Sequence, residues 1–313
     1  MAMAAAAAEA EAQLGARGVR WLQEYPPSRT LTFKSEDTAT KQPHRDLALD
    51  VFEPADLRTD GDDPSSRRPA IVTLFGGGWR TGTRVQMYEL CHRLAHEHGL
   101  VAFACDYRVL DRDGATPSQC VQDARAAVRF VRAHAASLSV DPERVVAAGS
   151  SAGGHLAVCA ALDPTLGASL CVAIAPAALS VPEGLESMAN DAGLDSTTIP
   201  AAMVESEPWT DGKAEPVPML LWHGRPDPVA PFAMTAGFAR KIDERFGQGI
   251  ATLVAHPTAT HFIFSDAQIF EAMFASVASF LQTHGHTHTP EPNPTEEEPS
   301  QLPEGRLPPF ARW

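Results

Sequence analysis

The sequence predicts an α/β fold with a mostly parallel central sheet flanked by helices on both faces. Three observations carry that expectation. Short apolar runs alternate with helical stretches along most of the chain, the pattern of strands joined by crossover helices. Several of those runs lack polar alternation, as expected of strands buried on both faces. The run at 145–148 passes through Gly149-Ser150-Ser151-Ala152-Gly153 directly into a helix-forming segment, a strand–turn–helix junction with Ser151 at its apex.

Taken in order, residues 1–12 form an Ala-rich arm carrying Glu9 and Glu11, without the basic region or Leu/Val core of a secretory signal. A helix is expected over 14–24, resting on the body through Trp21 and Leu22. Residues 30–34 and 47–52 read as two strands of an antiparallel hairpin or sheet edge. The stretch 53–68 is polar and rich in Asp, Ser and Pro, hence a surface loop. A buried strand at 70–74 then runs into Phe75-Gly76-Gly77-Gly78-Trp79. A helix follows over 85–98 and a strand over 100–105, with Asp106-Tyr107-Arg108 opening a loop. Residues 117–137 place Val121, Ala124, Val128, Val131 and Ala135 on one helical face. After the strand at 145–148, a helix is expected over 155–162 and a buried strand over 169–175.

The segment 181–216 mixes small, acidic and proline residues around an isolated Trp209 and reads as a cap or lid insert. Beyond it, strands at 219–222 and 250–255 alternate with helices at 232–246 and 265–281. From residue 283 the chain turns His-, Pro- and Glu-rich, with no pattern that could support a core. The expected organisation is an N-terminal arm and helix (1–24), one α/β domain (25–282) with its insert, and a tail (283–313).

The formal charge of −14 argues against nucleic acid and anionic membrane surfaces as partners, since both need basic patches. No apolar run approaches the length of a membrane span, so a soluble, cytoplasmic protein is expected. The five cysteines are scattered without a C-x-x-C pair and read as buried free thiols, which suits a reducing compartment. Self-association into a homo-oligomer is left open.

In open sheets of this kind, chemistry gathers at the carboxyl ends of the strands. A serine hydroxyl there needs a base to take its proton and an acid to orient that base. Ser151 has small residues two before and two after it, so strand and helix can approach closely while the serine holds a strained backbone. After the strand at 219–222 the loop offers Asp227; after the strand at 250–255 the loop offers His261, with His256 ranked second because it sits at the strand end before Pro257. An oxyanion needs amide donors, and Gly76, Gly77 and Ala152 are the candidates. Trp79, Tyr107 and Trp209 are the candidate substrate-binding side chains, with core filling as the alternative. His155 is expected to pack at the elbow helix and His223 to brace the acid loop. No Gly-rich phosphate or dinucleotide pattern occurs, His92, His96 and His98 lack the glutamate of H-E-x-x-H, and His284, His286 and His288 lie in the tail. No cofactor and no metal are expected.

These motifs together resemble the α/β-hydrolase superfamily, over about residues 47–282. More narrowly, they are similar to the branch joining hormone-sensitive-lipase-like carboxylesterases to acetyl and feruloyl esterases. The resemblance implies Ser151 as nucleophile, Asp227 as acid, His261 as base, and the amides of Gly76, Gly77 and Ala152 as oxyanion hole. The chain departs from the family pattern at Phe75, where histidine is usual, at Ser150, where aspartate is frequent, and at Thr260, where glycine is usual.

The expected function is hydrolysis of short-acyl esters, acetyl esters of carbohydrates or small alcohols among them, through an acyl-enzyme. The partner is then a small-molecule ester. An amidase, arylformamidase or exopeptidase on the same triad is the alternative within enzymes, and a non-catalytic binder on a hydrolase scaffold the alternative outside them.

Overall fold

The computed structural model describes residues 16–37, 40–41, 43–57, 64–181, 186–195, 197–205 and 216–288. Helix α1 (Ala16–Glu24) leads into β1 (Arg29–Glu36) and β2 (Pro43–Phe52). Strand β3 (Arg68–Leu74), a 3-10 turn (Arg84–Met87), α2 (Tyr88–His98) and β4 (Val101–Cys105) follow. Next come α3 (Leu110–Asp113), α4 (Pro117–Ala133), β5 (Val140–Ser150), α5 (Ala152–Ala161) and β6 (Leu170–Ile174). The remainder comprises α6 (Glu186–Asp191), α7 (Pro200–Met203), β7 (Met219–Gly224), α8 (Phe232–Phe246), β8 (Ala251–His256) and α9 (Ala267–Thr283).

The strands form one eight-stranded sheet in the order β1-β2-β4-β3-β5-β6-β7-β8. Strand β2 runs antiparallel to β1 and β4, and every later pairing is parallel. Strands β3, β4, β6 and β7 are buried along their whole length, which is why their sequences run apolar without alternation. Helix α2 touches α9, and α4 packs on α5. The mostly parallel α/β architecture is therefore as expected.

Local chemistry sets the ends of these elements. Helix α4 opens with a capping box between Thr116 and Gln119 and carries Pro117 in its first turn. Helix α2 stops at Gly99, whose φ of 68° is a left-handed conformation that glycine adopts without penalty. Helix α9 is capped by the Asp266 carboxylate, which accepts from the amides of Gln268 and Ile269.

Three differences from the sequence reading have physical reasons. The elbow helix begins at Ala152, three residues earlier than expected, because Gly153 and Gly154 are held in it by close packing. The short helices α3, α6 and α7 were not foreseen. The chain also packs beyond residue 282: His286 is buried, its Nε2 lies 2.8 Å from Ser169 Oγ, and the His288 amide donates to His98 O. The tail reading is thus corrected over 283–288, while residues 289–313 and the arm at 1–15 lie outside the described residues.

All five cysteines are buried free thiols. No described helix is long and apolar enough to cross a membrane, and no cluster of three His, Cys, Asp or Glu among the described residues could hold a metal.

Candidate active site

The junction between β5 and α5 holds Ser151 at φ 55° and ψ −121°, a conformation that non-glycine residues rarely adopt. Its neighbours make it possible. A Cβ on Gly149 would lie 2.3 Å from Gly153 O, and one on Gly153 would lie 2.2 Å from Leu74 O. Both positions therefore exclude any side chain, and the turn is tight enough to lift the serine hydroxyl clear of the sheet.

The hydroxyl meets a hydrogen-bonded line. Ser151 Oγ lies 2.9 Å from His261 Nε2, and His261 Nδ1 lies 2.8 Å from Asp227 Oδ2. An ionised carboxylate only accepts, so Nδ1 carries the imidazole proton and Nε2 is left to accept from the serine. Asp227 Oδ1 accepts from the amides of Val229 (2.8 Å) and Ala230 (2.9 Å), and Oδ2 also accepts from His223 Nε2 at 3.1 Å. Burial opposes the charge on Asp227. The hydrogen bonds from His223, His261 and the two amides outweigh it and hold the carboxyl well below the usual carboxylate range.

The other histidines shape the frame. His223 Nδ1 pairs with Thr235 Oγ1 at 2.8 Å and its Nε2 also reaches Ala230 O at 2.9 Å, bracing the acid loop. His256, the last residue of β8, accepts the Ala259 amide at 3.0 Å through Nδ1 and so folds the loop that carries His261. Gly224 lets that loop come close, since a Cβ there would lie 1.9 Å from Ala259 O. His155 is fully buried, its Nε2 is 2.5 Å from Thr198 O, and burial pushes its pKa down to about 4.

The glycine loop differs in one respect from the expectation. The Gly76 amide donates to Gln86 Oε1 at 3.1 Å, and Gln86 Nε2 donates back to Gly76 O at 3.4 Å. Gly76 is therefore not available as an oxyanion donor, because the Gln86 carboxamide pairs with both sides of its residue. Gly77 and Gly78, at φ 140° and 63°, line the cavity above Ser151, and their amides and that of Ala152 have no acceptor among the described residues. Ala152 directly follows Ser151, and Gly77 and Gly78 line the same cavity as its side chain.

The cavity over Ser151 has a volume of about 800 Å³. Trp79 lines it and meets the His155 ring edge-on at 5.1 Å. Tyr107 does not line it. That side chain is fully buried, stacks on Phe75 at 4.1 Å and donates to Phe75 O at 2.8 Å, so it supports the glycine loop from beneath. Trp209 lies outside the described residues. The flanking Asp106 and Arg108 are likewise braces: Asp106 pairs with Arg84 at 3.0 Å, and Arg108 pairs with Asp123 at 2.8 Å.

Sequence reasoning missed Gln86, which sits in the 3-10 turn before α2 and carried no motif. Trp21 of α1 is the packing contact the sequence suggested, buried in the core, and it also forms part of the cavity wall. Val229 and Phe262 were passed over as well; their positions beside Asp227 and His261 were the available signal.

Comparison with known proteins gives the family and the fold class. The chain matches the BD-FAE family over residues 49–168 and the Prolyl oligopeptidase family over residues 111–287, more than half its length. Among solved structures, a propionate-bound thermophilic esterase from Thermogutta terrifontis superposes with a TM-score of 0.71 at 31% identity, covering 86% of this chain and 98% of that one. The esterase LipQ of Mycobacterium tuberculosis is 25% identical over 82% of this chain, and the probable carboxylic ester hydrolase LipM of the same organism is 35% identical over 37% of it. The chain spans 63% of the length of LipQ and 25% of that of LipM. With this fold and this similarity, the chain belongs to the serine esterases of the α/β-hydrolase superfamily.

Proposed function

We propose that the chain is a carboxylesterase acting on short-acyl esters of small alcohols, through a covalent acyl-enzyme. Ser151 attacks the ester carbonyl while His261 Nε2 takes its proton. Asp227 holds the imidazole in the tautomer that can do so and stabilises the imidazolium that forms. The amides of Gly77, Gly78 and Ala152 receive the oxyanion. His261 then returns the proton to the leaving alcohol, and water repeats the sequence on the acyl-enzyme.

The observation that carries this reading is the unbroken line from Ser151 through His261 to Asp227 at the foot of the cavity. The Thermogutta esterase, solved with propionate and with butyrate, supports a short acyl group. The five buried thiols favour a reducing compartment, and the cytoplasm is the proposed location. The test is a p-nitrophenyl ester series from acetate to decanoate on wild type and Ser151→Ala. Turnover is expected to be highest for the short chains and to vanish in the variant. A preference for decanoate would overturn the short-acyl proposal, and acetate hydrolysis surviving in Ser151→Ala would remove the serine from its role.

The match to the Prolyl oligopeptidase family supports a second reading, amide cleavage by the same groups. Comparing an acetate ester with the matching anilide separates the two.

A further inference from the structure

We propose that Val229 and Phe262 form an apolar subsite for the leaving alcohol, which selects esters of aryl or alkyl alcohols over esters of sugars and other polyols. The proposal rests on the esterase reading above. The reaction itself locates this subsite. The departing alkoxide must be protonated by His261 Nε2, so the alcohol portion lies on the His261 side of the Ser151 hydroxyl. Phe262 follows His261 in the chain, with its ring 6.0 Å from the imidazole, centre to centre. Val229 is fixed beside the acid by its own amide, which donates to Asp227 at 2.8 Å. Both side chains line the same cavity as Ser151.

These two residues are also out of place for a protein surface. Phe262 is 64% exposed and Val229 47%, and among the described residues Leu110 alone shares that exposure as a large hydrophobic. Two such side chains lining one reactive cavity gain burial when an apolar group covers them.

The polar inventory of the wall points the same way. Among the described residues no Asp, Glu, Lys or Arg lines the cavity. Apart from Ser151 and His261, the hydrogen-bonding side chains of the wall are Gln86, Ser150, Ser265 and the indoles of Trp21 and Trp79; Gln86 is engaged with Gly76, and the Trp79 N–H is buried away from solvent. A sugar ring would exchange several hydrogen bonds to water for few to protein, which disfavours its binding. An aromatic or branched alkyl group has no such loss.

The experiment holds the acyl group constant and varies the alcohol. Benzyl, ethyl and glucose 6-acetate are compared by kcat/KM on the full chain, because their leaving alcohols are all aliphatic and none is strongly activated. Wild type is expected to favour benzyl over glucose acetate by about tenfold or more, the scale that apolar complementarity supplies. Phe262→Ser is expected to lower the benzyl-to-ethyl ratio by about tenfold. Phe262 lies at the surface, so its replacement leaves the core intact, and Val229→Ser gives a second reading of the same ratio. Glucose acetate cleaved as well as benzyl acetate, or a ratio unmoved in both variants, would overturn the subsite and leave the esterase reading standing. Failure to hydrolyse any of the three acetates would overturn the esterase reading and the subsite with it.

Discussion

Replacing Asp227 with asparagine exchanges one oxygen for an amide nitrogen and so reverses the polarity of one side of a group with four donors around it. The Asn amide has two ways to sit. With its carbonyl towards the amides of Val229 and Ala230, its NH2 faces His261 Nδ1 and His223 Nε2. His261 must then carry its proton on Nε2, where Ser151 Oγ lies 2.9 Å away, and that nitrogen can no longer accept. His223 keeps Ala230 O as an acceptor, so the arrangement costs little stability. With the carbonyl towards the histidines the base survives, but two buried backbone N–H groups face an NH2. Each unsatisfied donor costs about 1–3 kcal/mol. The first arrangement is therefore favoured, and Asp227→Asn is expected to fold with a loss of no more than about 2 kcal/mol. Its kcat on p-nitrophenyl acetate should fall about 10,000-fold, close to 5 kcal/mol of transition-state stabilisation, with KM nearly unchanged. Steady-state kinetics and a denaturant titration on the same preparation measure both quantities. A variant with kcat within tenfold of wild type would refute the tautomer argument.

Two further predictions follow from the frame around the site. Gln86→Leu removes the clamp on Gly76 and should lower kcat by about 10- to 100-fold while KM changes little, since the glycine loop matters most in the transition state. Binding of a boronate that mimics the tetrahedral intermediate should weaken in parallel, and an unchanged kcat would remove Gln86 from that role. His155, pushed down to about 4 in the folded protein, stays neutral where the unfolded chain already binds a proton. Stability should consequently fall as pH drops from about 6.5 towards 4, by up to about 3 kcal/mol in total, because the unfolded state takes up the proton first. Denaturant titrations at pH 7 and pH 5 should show a smaller difference for His155→Phe than for wild type; an equal difference would contradict this.

What could be read from the sequence depended on whether the signal was local. Strands β3, β4, β6 and β7 are covered on both faces, so burial left an uninterrupted apolar run in each. The elbow was legible because Gly149 and Gly153 are demanded by atoms within a few ångströms of Ser151, and that demand appears as spacing. Asp227 and His261 could be proposed from chain order and strand ends alone. Helices α3, α6 and α7 span four to six residues, too short for a periodic pattern to develop. A glycine triplet does not reveal which of its amides is already paired; that depends on Gln86, which reaches back from the following turn. Tyr107 reads the same whether it faces a ligand or stacks on Phe75, and His286 is buried by a partner 117 positions away. Non-local partners of this kind leave no trace in a single sequence.

Reaction with paraoxon, followed by peptide mapping of the phosphorylated protein, tests the assigned nucleophile most directly. The related Thermogutta esterase has been solved in a form phosphorylated by this reagent. One diethylphosphoryl group is expected, on Ser151, with activity lost in proportion to labelling and no adduct in Ser151→Ala. Labelling at any other residue with loss of activity, or full activity retained on a protein labelled at Ser151, would contradict the account.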